Sequence, residues 1–429
     1  MRIIHTSDWH LGQTLHNFDR HLEHQCFLDW LLDTLVAEQA DALLISGDIF
    51  DTANPSATSQ RQLYRFLQQA KTRVPHLNTV LIAGNHDSPG RLDAPIPLLE
   101  ALDVSVVGSV PRGDDGQIDP ARLVLPLRDR HGSTAAWCLA VPFLRPGDVP
   151  RIETAPDSQD DPYRQGITLL YQQALAQALA QRQSGQALVA MGHCHMVGGT
   201  ASEDSERRIV IGGTEALSAG LFDSRIAYAA LGHLHLAQRV AQQERLRYCG
   251  SPLPLSFAEV GYTHQVLRVD LDGEALASVT PLPVPRAVAL LRIPAVHAPL
   301  ASVLQDLSAM KFEAQDDLQR QPYLEVRVRL EQPEPGLRAR IEAVLEGQPV
   351  RLAKIDIRFA AAATGTGPDA APDGADPTEA THRTALETLE QLQPEEVFQR
   401  LYRSKYQGEA PAELATAFAE LLQPAEGTP

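Results

Sequence analysis

Short apolar runs alternate with amphipathic segments along the first hundred residues. Three runs that end in polar residues are typical of buried strands, and they cover residues 2–8, 42–48 and 79–87. Between them lie two segments in which apolar side chains recur every three or four residues, as on one helix face. The second of these helices has Ser56 or Thr58 as its N-cap candidate. Alternating strands and helices predict an α/β core.

The pattern changes in the middle of the chain, where strands follow one another with few helices. Strands are predicted at residues 137–143, 187–193, 208–213, 226–237, 245–251 and 265–271. A helix at 166–183 precedes the second of them. Because strands are dense and helices are rare here, we expect a second sheet with more antiparallel pairing.

The last third has a different organisation. The proline-rich stretch 281–287 marks a boundary, and residues 288–359 then alternate strand, helix, strand, helix and strand. Residues 360–385 combine Ala, Pro and Gly with acids, which is the composition of a disordered linker. Residues 386–429 predict two amphipathic helices, whose apolar faces must dock on the body of the protein or on a partner.

Composition narrows the class of protein. A chain of 429 residues with 44% hydrophobic content can build two or three domains. The net charge of −17 argues against broad electrostatic binding to nucleic acid, although it permits a local basic groove. No run reaches the roughly 18 apolar residues of a membrane helix, and we expect no signal peptide. Four cysteines without CxxC spacing predict reduced thiols and a cytoplasmic location.

Five clusters of potential metal ligands stand at or just after predicted strand ends. They are Asp8 with His10, Asp48 with Asp51, Asn85 with His86 and Asp87, His193 with His195, and His233 with His235. Oxygen and imidazole ligands without a thiolate set suit Mn, Fe or Zn, and there are too many of them for one ion. Two ions about 3.5–4 Å apart can clamp a phosphoester and acidify a water. Phosphoester hydrolysis is therefore the chemistry that this set supports best.

Some of these residues keep two interpretations. A lone buried histidine is more often a satisfied core residue, but five clusters together outweigh that explanation. Asp51 and Asp87 either orient imidazoles or serve as turn carboxylates. His195 either faces a substrate or has no role in the site, and Cys194 is expected to pack in the interior.

The motifs D-x-H, G-D-x-x-D, G-N-H-D, a later H and G-H-x-H, in this order, resemble the calcineurin-like metallophosphoesterase superfamily. Strings such as RIIHTSDWHLGQ and YCGSPLPLSF are similar to its bacterial nucleases over roughly residues 1–275. The resemblance implies an α/β fold with a four-layer-type β-sandwich core flanked by helices, over residues 1–280. It also implies a small α+β cap domain at 288–359 and C-terminal helices at 386–429.

The resemblance further implies two divalent metal ions, Mn²⁺ in the first place and Mg²⁺ as the alternative. It assigns one ion to Asp8, His10 and His235, and the other to Asn85, His193 and His233. Asp48 would bridge the two ions. His86 would bind neither, and would instead stabilise or protonate at the scissile phosphate as the catalytic residue.

The implied function is a DNA nuclease with exonuclease and endonuclease activity on duplex ends and on single-stranded or hairpin DNA. It would act as a homodimer joined to an ATPase through residues 386–429. Any ATP dependence would come from that partner, because the chain has no GxxxxGK[ST] motif of its own. Arg61, Arg91 and Arg145 are candidate DNA contacts, although solvated surface arginines are commoner. Two rival functions stay open, namely an esterase for small phosphodiesters or phosphoproteins and a non-catalytic DNA-bridging scaffold.

Overall fold

The computed structural model of the chain divides it into two units. They comprise residues 1–361 and 362–429. The described residues are 1–152, 161–200, 202, 216–313, 317–359, 398, 402, 403, 411 and 414. The strand predicted at 208–213 and the linker predicted at 360–385 lie outside them, as does most of 386–429. In the second unit, the rings of Phe398 and Tyr402 contact each other with centroids 6.2 Å apart.

Strands and helices alternate through the first unit. The strands are β1 (Arg2–Thr6), β2 (Thr14–Leu15), β3 (Phe18–Asp19), β4 (Ala42–Ser46), β5 (Asn78–Ile82), β6 (Val104–Val107), β7 (Val124–Arg128), β8 (Thr134–Ala140), β9 (Ala187–His193), β10 (Tyr228–Gly232), β11 (Gln238–Val240), β12 (Gln243–Tyr248), β13 (Gln265–Asp272), β14 (Ala275–Pro283), β15 (Leu290–Pro299), β16 (Tyr323–Leu330) and β17 (Arg351–Phe359). The helices are α1 (His21–Ala37), α2 (Ala57–Arg73), α3 (Pro89–Asp93), α4 (Ile96–Leu99), α5 (Pro162–Gln181), α6 (Leu300–Ala309) and α7 (Leu337–Leu345).

The first sheet has the strand order β14-β13-β1-β4-β5-β6. Strands β1, β4, β5 and β6 are parallel, whereas β13 runs antiparallel to β1. Helices α1 and α2 cover one face, where Phe27 and Phe66 pack with Leu43 and Ile45. Ser56 caps α2 by accepting a hydrogen bond from the Ser59 amide, and Thr58 lies inside the helix. The predicted α/β core is therefore confirmed.

The second sheet has the order β11-β12-β10-β9-β8-β7, and the antiparallel pairing expected for it is wrong at its centre. Strands β8, β9, β10 and β12 are all parallel, and only the edge strands β7 and β11 run antiparallel. The physical reason is visible in burial, because β9 and β10 are buried on both faces, as strands of parallel sheets commonly are. Helix α5 supplies the long crossover between β8 and β9 that a parallel pair needs.

The two sheets share one apolar core. Ala42 and Leu44 from the first sheet pack in the same cluster as Ala190 and Ala230 from the second. The hydroxyl of Ser46 donates to the Ala230 carbonyl at 3.0 Å, so the carboxyl ends of β4 and β10 are joined directly. Loops that leave those ends therefore meet at one edge of the molecule.

Residues 290–359 follow the predicted order of strand, helix, strand, helix and strand. Strands β15, β16 and β17 form a parallel three-stranded sheet, and α6 and α7 cover one of its faces through Val303 and Ile341. At its base, Tyr323 packs with Leu15 and Phe257 of the preceding part of the chain. Among the described residues, no helix has the length and hydropathy needed to cross a bilayer.

Candidate metal centre

The predicted ligands come together at the carboxyl ends of strands from both sheets. Asp8 and His10 follow β1, Asp48 follows β4, and Asn85 follows β5; His193 is the last residue of β9, and His233 and His235 follow β10. Loops at the carboxyl ends of parallel strands are the usual place for sites in α/β folds. All seven predicted ligands and His86 meet at this edge.

The backbone at these loops is held in an uncommon conformation. Asp8, His10, Asp48 and His233 have φ values of 54°, 47°, 46° and 105°, in the region that non-glycine residues rarely adopt. Strain of this kind persists only where the surroundings enforce it. Here the amides of Asp8 and His10 donate to the carbonyls of Gly47 and Asp48, each at 3.0 Å, which ties the first two loops together.

Trp9 anchors the first loop between its two ligand residues. Its ring is fully buried and packs edge-on against Phe27 and Phe66, at centroid distances of 5.5 and 5.4 Å. Its indole N–H donates to the Thr6 hydroxyl at 2.9 Å. Trp9 thus packs among the helices, while Asp8 and His10 on either side of it lie with the candidate ligands.

Asp8, His10 and His235 form the first group whose ligand atoms all lie within 4.8 Å of one another. Nδ1 of His10 contacts Asp51 Oδ1 at 3.1 Å, which leaves Nε2 on the side of the group. That Nε2 is buried and has no hydrogen-bond partner among the described atoms. Nδ1 of His235 is hydrogen-bonded to Oε1 of Glu259 at 2.8 Å, so Nε2 of His235 also faces the group.

The second group is built around the amide oxygen of Asn85. Its Oδ1 lies 2.9 Å from Nε2 of His193 and 3.1 Å from Nδ1 of His233. Nδ1 of His193 donates to the Ser46 carbonyl at 2.8 Å, which fixes the ring with Nε2 in the site. Asp48, His193 and His233 are also within the common 4.8 Å range.

Asp48 lies between the two groups. Its Oδ2 is 3.6 Å from Nε2 of His10 and 3.4 Å from Nε2 of His193. Its Oδ1 accepts a hydrogen bond from the His86 amide at 2.8 Å. Burial would raise the pKa of Asp48, but the neighbouring imidazole of His193 outweighs burial and holds that pKa well below its usual range.

The same neighbouring charges shift the pKa values of the imidazoles. Burial would lower the pKa of His193, yet the Asp48 carboxylate overrides it and raises the pKa to about 9. Burial, reinforced by His193, holds the pKa of His233 well below its usual value. Imidazole and carboxylate groups thus lie on both sides of Asp48, where they can stabilise a bound cation.

His86 is placed differently from the other histidines. Its Nδ1 donates to the backbone carbonyl of Asp51 at 2.8 Å, so the lone pair of a neutral ring is on Nε2. Its ring lies 4.8 Å from that of His10, and it forms a third compact group with His10 and Asp48. Distance alone therefore permits both a ligand and an acid, and the role of His86 stays a prediction.

Two glycines make the close approach of the loops possible. Gly47 has a φ of 90°, and a Cβ there would collide with Nδ1 of His193. A Cβ on Gly232 would collide with the carbonyl oxygen of Ser46 across the two sheets. Any side chain at either position would push the two halves of the site apart.

The two flanking carboxylates have different surroundings. Asp51 contacts the ring of His10, which matches the imidazole-orienting interpretation. Asp87 accepts hydrogen bonds from the amides of Ile49, Phe50 and Gly84, which matches the turn-carboxylate interpretation. Burial together with the charge of Asp48 raises the pKa of Asp87 to about 6.

His195 and Glu259 are the residues that the sequence left unresolved or missed. The ring of His195 lies 6.3 Å from that of His233, outside all three compact groups of the described residues. Glu259 is fully buried against His235, but 24 residues and a loop separate the two in the chain. No local motif could have indicated that pairing.

The residues present fit two divalent ions. Asp, Asn and His donors converge on both sides of a shared carboxylate, and Nε2 of His10 is buried among them without a hydrogen-bond partner in the described structure. An imidazole nitrogen in that position is what a bound cation would satisfy. The donor set has no sulfur and suits a hard or borderline ion.

Comparison with known proteins identifies the family. The family model for calcineurin-like phosphoesterase matches residues 1–237. The model described as the type 5 capsule protein repressor C-terminal domain, SbcD_C, matches residues 286–406. The chain is 40% identical over 391 residues to the SbcD component of the nuclease SbcCD from Rhodobacter capsulatus, which covers 91% of this chain and 93% of that protein. The chain belongs to the SbcD family.

Other SbcD proteins are similar to it as well. The SbcD protein of Escherichia coli strain K12 is 35% identical over 82% of this chain and 84% of its own length. The SbcD protein of Bacillus subtilis is 35% identical over 63% of this chain and 66% of its own length. As a member of this family, the chain is a metal-dependent hydrolase of phosphodiester bonds and the nuclease component of an SbcCD-type complex, and the alternative of an esterase for small phosphodiesters or phosphoproteins is less supported.

Proposed function

We propose that this chain cleaves DNA at duplex ends and in single-stranded or hairpin regions, as exonuclease and endonuclease, in DNA repair, recombination or replication. The observation that carries the proposal is the position of Asp48, whose Oδ2 lies within 3.6 Å of ring nitrogens from both ligand groups. A carboxylate shared in this way is what hydrolysis with two ions requires.

The metal assignment follows the two groups. Asp8, His10 and His235 would hold one ion, Asn85, His193 and His233 the other, and Asp48 both. Mn²⁺ is the first choice and Mg²⁺ the second. When bound, such ions act as Lewis acids on the phosphate and lower the pKa of water. His86 would stay hydrogen-bonded to the Asp51 carbonyl through Nδ1 and present Nε2 to the scissile phosphate.

A four-layer core over residues 1–280 and a DNA-shaping cap at 288–359 complete the proposed architecture. Support for the cap comes from the sheet face opposite α6 and α7, which we call the basic face. It carries Arg292, Arg327, Arg329, Lys354 and Arg358 against only two acids, Glu325 and Asp356. An excess of positive charge on one face, in a chain of net charge −17, suits the backbone of DNA.

Glu325 shows that the basic face is organised. Its side chain is 1% exposed and lies 2.8 Å from Arg292, 3.0 Å from Arg327 and 3.3 Å from Lys354. One carboxylate thus holds three cations in register across three strands and compensates the charge of only one. Arg329 and Arg358 pair with each other in register and have no acidic partner among the described residues. Lys and Arg groups held in this way fit a row of phosphates.

Arg145 is the candidate arginine that ring contacts connect to a candidate ligand. Its guanidinium lies over the Phe143 ring at 5.2 Å, and Phe143 packs edge-on against His193 at 6.3 Å. That position would bring a cation to the rim of the site, where a substrate phosphate enters. Arg61 and Arg91 gain no comparable support.

The proposed assembly is a homodimer within a heterotetramer that contains an SbcC-type ATPase. Residues 386–429 would contact the ATPase, and the complex would be cytoplasmic. The amphipathic pattern of that segment and the names of the relatives support this partner. The ATPase would also supply the ATP dependence, since the chain has no phosphate-binding loop motif.

The test is a nuclease assay with the purified chain, alone and with its ATPase, on blunt and hairpin DNA in Mn²⁺ and in Mg²⁺. We expect cleavage of both DNA forms, faster in Mn²⁺ and dependent on ATP only when the ATPase is present. Hydrolysis of bis-p-nitrophenyl phosphate without any DNA cleavage, with or without the ATPase, would contradict the proposal.

A further inference from the structure

Glu259 is a buried carboxylate that no ligand motif contains. Its side chain is fully buried, and both of its oxygens are occupied. Oε1 accepts from Nδ1 of His235 at 2.8 Å, and Oε2 accepts from the Leu255 amide at 2.7 Å. A buried carboxylate is costly unless it is well paired, so this arrangement is specific.

The contact determines how His235 meets the site. A carboxylate accepts, so Nδ1 of His235 carries the proton and the lone pair is on Nε2, which faces Asp8 and His10. Carboxylate partners behind metal-binding imidazoles fix both the tautomer and the ring orientation. Asp51 occupies the same position behind His10, at 3.1 Å.

The loop that carries Glu259 is itself anchored at its start and at its middle. At its start the amide of Ser251 donates to the carbonyl of His235 at 3.1 Å. Further along, Arg20 donates to the Pro254 carbonyl at 2.6 Å, and the side-chain amide of Gln13 donates to the Leu255 carbonyl at 3.0 Å. The position of Glu259 therefore depends on Arg20, which is 1% exposed.

Arg20 connects this loop to the three-stranded sheet. It forms a buried ion pair with Glu23 through two hydrogen bonds of 2.8 and 2.7 Å. Glu23 also accepts from the Tyr323 hydroxyl at 2.9 Å, and Tyr323 is the first residue of β16. Phe257, two residues before Glu259, packs in the same apolar cluster as Tyr323. Hydrogen bonds and apolar contacts thus run without a gap from β16 to His235.

We propose that Glu259 is a positioning residue for His235, and that the contact of Tyr323 with Glu23 and Arg20 supports it from the cap. The proposal rests on the two-ion site proposed above. It makes the cap part of what holds one metal ligand in place. Removing either support should weaken the ion held by Asp8, His10 and His235 while sparing the other ion.

The experiment measures Mn²⁺ binding to the full chain by calorimetry, with bound ions counted by electron paramagnetic resonance. Glu259→Gln is expected to weaken one of two ions by about 10- to 100-fold. Glu259→Asp, which keeps the charge, should recover part of that loss, and Tyr323→Phe should weaken the same ion by a smaller factor. Asp41→Asn, which alters a buried carboxylate just before the start of β4, should bind both ions as the wild type does.

Three outcomes decide the matter. Wild-type affinity for both ions in Glu259→Gln overturns the role of Glu259, even where the wild type cuts DNA. A wild type that binds no Mn²⁺ overturns both this inference and the proposed site. If Glu259→Gln does not fold, the ¹⁵N spectrum of the Mg²⁺-loaded wild type decides, with His235 assigned by its loss in His235→Gln. A proton on Nδ1 supports the inference, and a proton on Nε2 overturns it.

Discussion

Asp48 and His86 are neighbouring residues of the site whose surroundings suit different roles. Asp48 is 1% exposed and has imidazoles on two sides, so its carboxylate is kept charged where burial alone would neutralise it. His86 is tied by its backbone amide to Asp48 and by its ring to the Asp51 carbonyl. Asp48 lies between the two groups of candidate ligands, and His86 lies beside them.

Replacement of His86 by Ala should separate binding from catalysis. We expect His86→Ala to keep both Mn²⁺ ions and to lose about 10²- to 10⁴-fold in DNA cleavage, because only an acid or stabilising group is removed. Mn²⁺ titration and a single-turnover nuclease assay measure the two effects. His131→Ala, at an exposed histidine, is the control and should match the wild type. Loss of an ion from His86→Ala would make it a ligand instead.

The pair His193 and His195 gives a second comparison at this scale. Nε2 of His193 lies 2.9 Å from Asn85 Oδ1, whereas His195 is outside the compact groups of the described residues. His193→Ala should therefore lose one ion, and His195→Ala should keep both, as counted by metal analysis of the purified variants. Equal losses in the two variants would refute the split.

The convergence of the candidate ligands could be predicted from sequence because its signals are local, whereas their assignment as metal ligands stays a prediction. Each ligand follows a strand end within a few residues, and the structure brings all seven to one edge. The role expected for His86 stays a prediction, because a difference of a few ångströms decides between a ligand and an acid. Glu259 could not be predicted, because its contact with His235 depends on how the loop at 250–259 turns back.

Among the elements, helix α1 supports the site from behind through His24. Its Nε2 contacts the Trp9 carbonyl at 3.1 Å, between the candidate ligands Asp8 and His10. His24 is fully buried, and burial together with the charge of Arg20 lowers its pKa to about 3. Below pH 6.5 the ring of His24 therefore becomes protonated in the unfolded chain while it stays neutral in the folded protein.

This difference predicts a loss of stability in acid. The contribution of His24 is fully present above pH 6.5 and declines by about 1.4 kcal/mol per pH unit as the pH falls from 6.5 towards 3. His24→Gln keeps a donor for the Trp9 carbonyl but cannot titrate. The free energy of unfolding, from urea titrations at pH 7, 6 and 5, should fall less steeply in the variant by about one proton. An unchanged slope would contradict the burial of a neutral ring.

The strand pattern predicted the elements more reliably than their pairing. Buried runs such as 187–193 match β9 to the residue, because apolar content and strand ends are local signals. Direction is not local: β8 and β9 are parallel because α5 carries the chain back across the sheet. The density of strands predicted antiparallel pairing wrongly, because it takes no account of the long connections that parallel pairs require.

At the scale of the whole molecule, charge is unevenly distributed. The chain carries −17 overall, yet the basic face around Glu325 has more arginine and lysine than acid. Acidic composition therefore does not oppose a DNA contact at one surface. The site, the loop of Glu259 and the base of the three-stranded sheet are joined by the contacts of Arg20 and Tyr323.

Deletion of residues 386–429 tests the proposed division of labour. We expect the shortened chain to hydrolyse bis-p-nitrophenyl phosphate at the wild-type rate, because every candidate ligand lies before residue 236. We also expect it to lose co-purification with the SbcC-type ATPase. Retained co-purification would place the partner contact elsewhere in the chain.

The most direct test of the two-ion account is the Mn²⁺ stoichiometry of Asp48→Ala, measured against the wild type by electron paramagnetic resonance of free and bound ions. Since Oδ2 of Asp48 lies within 3.6 Å of ring nitrogens from both groups, its loss should remove a ligand from each ion. The account predicts two bound ions in the wild type and none in the variant at the same Mn²⁺ concentration. Two ions still bound by a folded Asp48→Ala would contradict it.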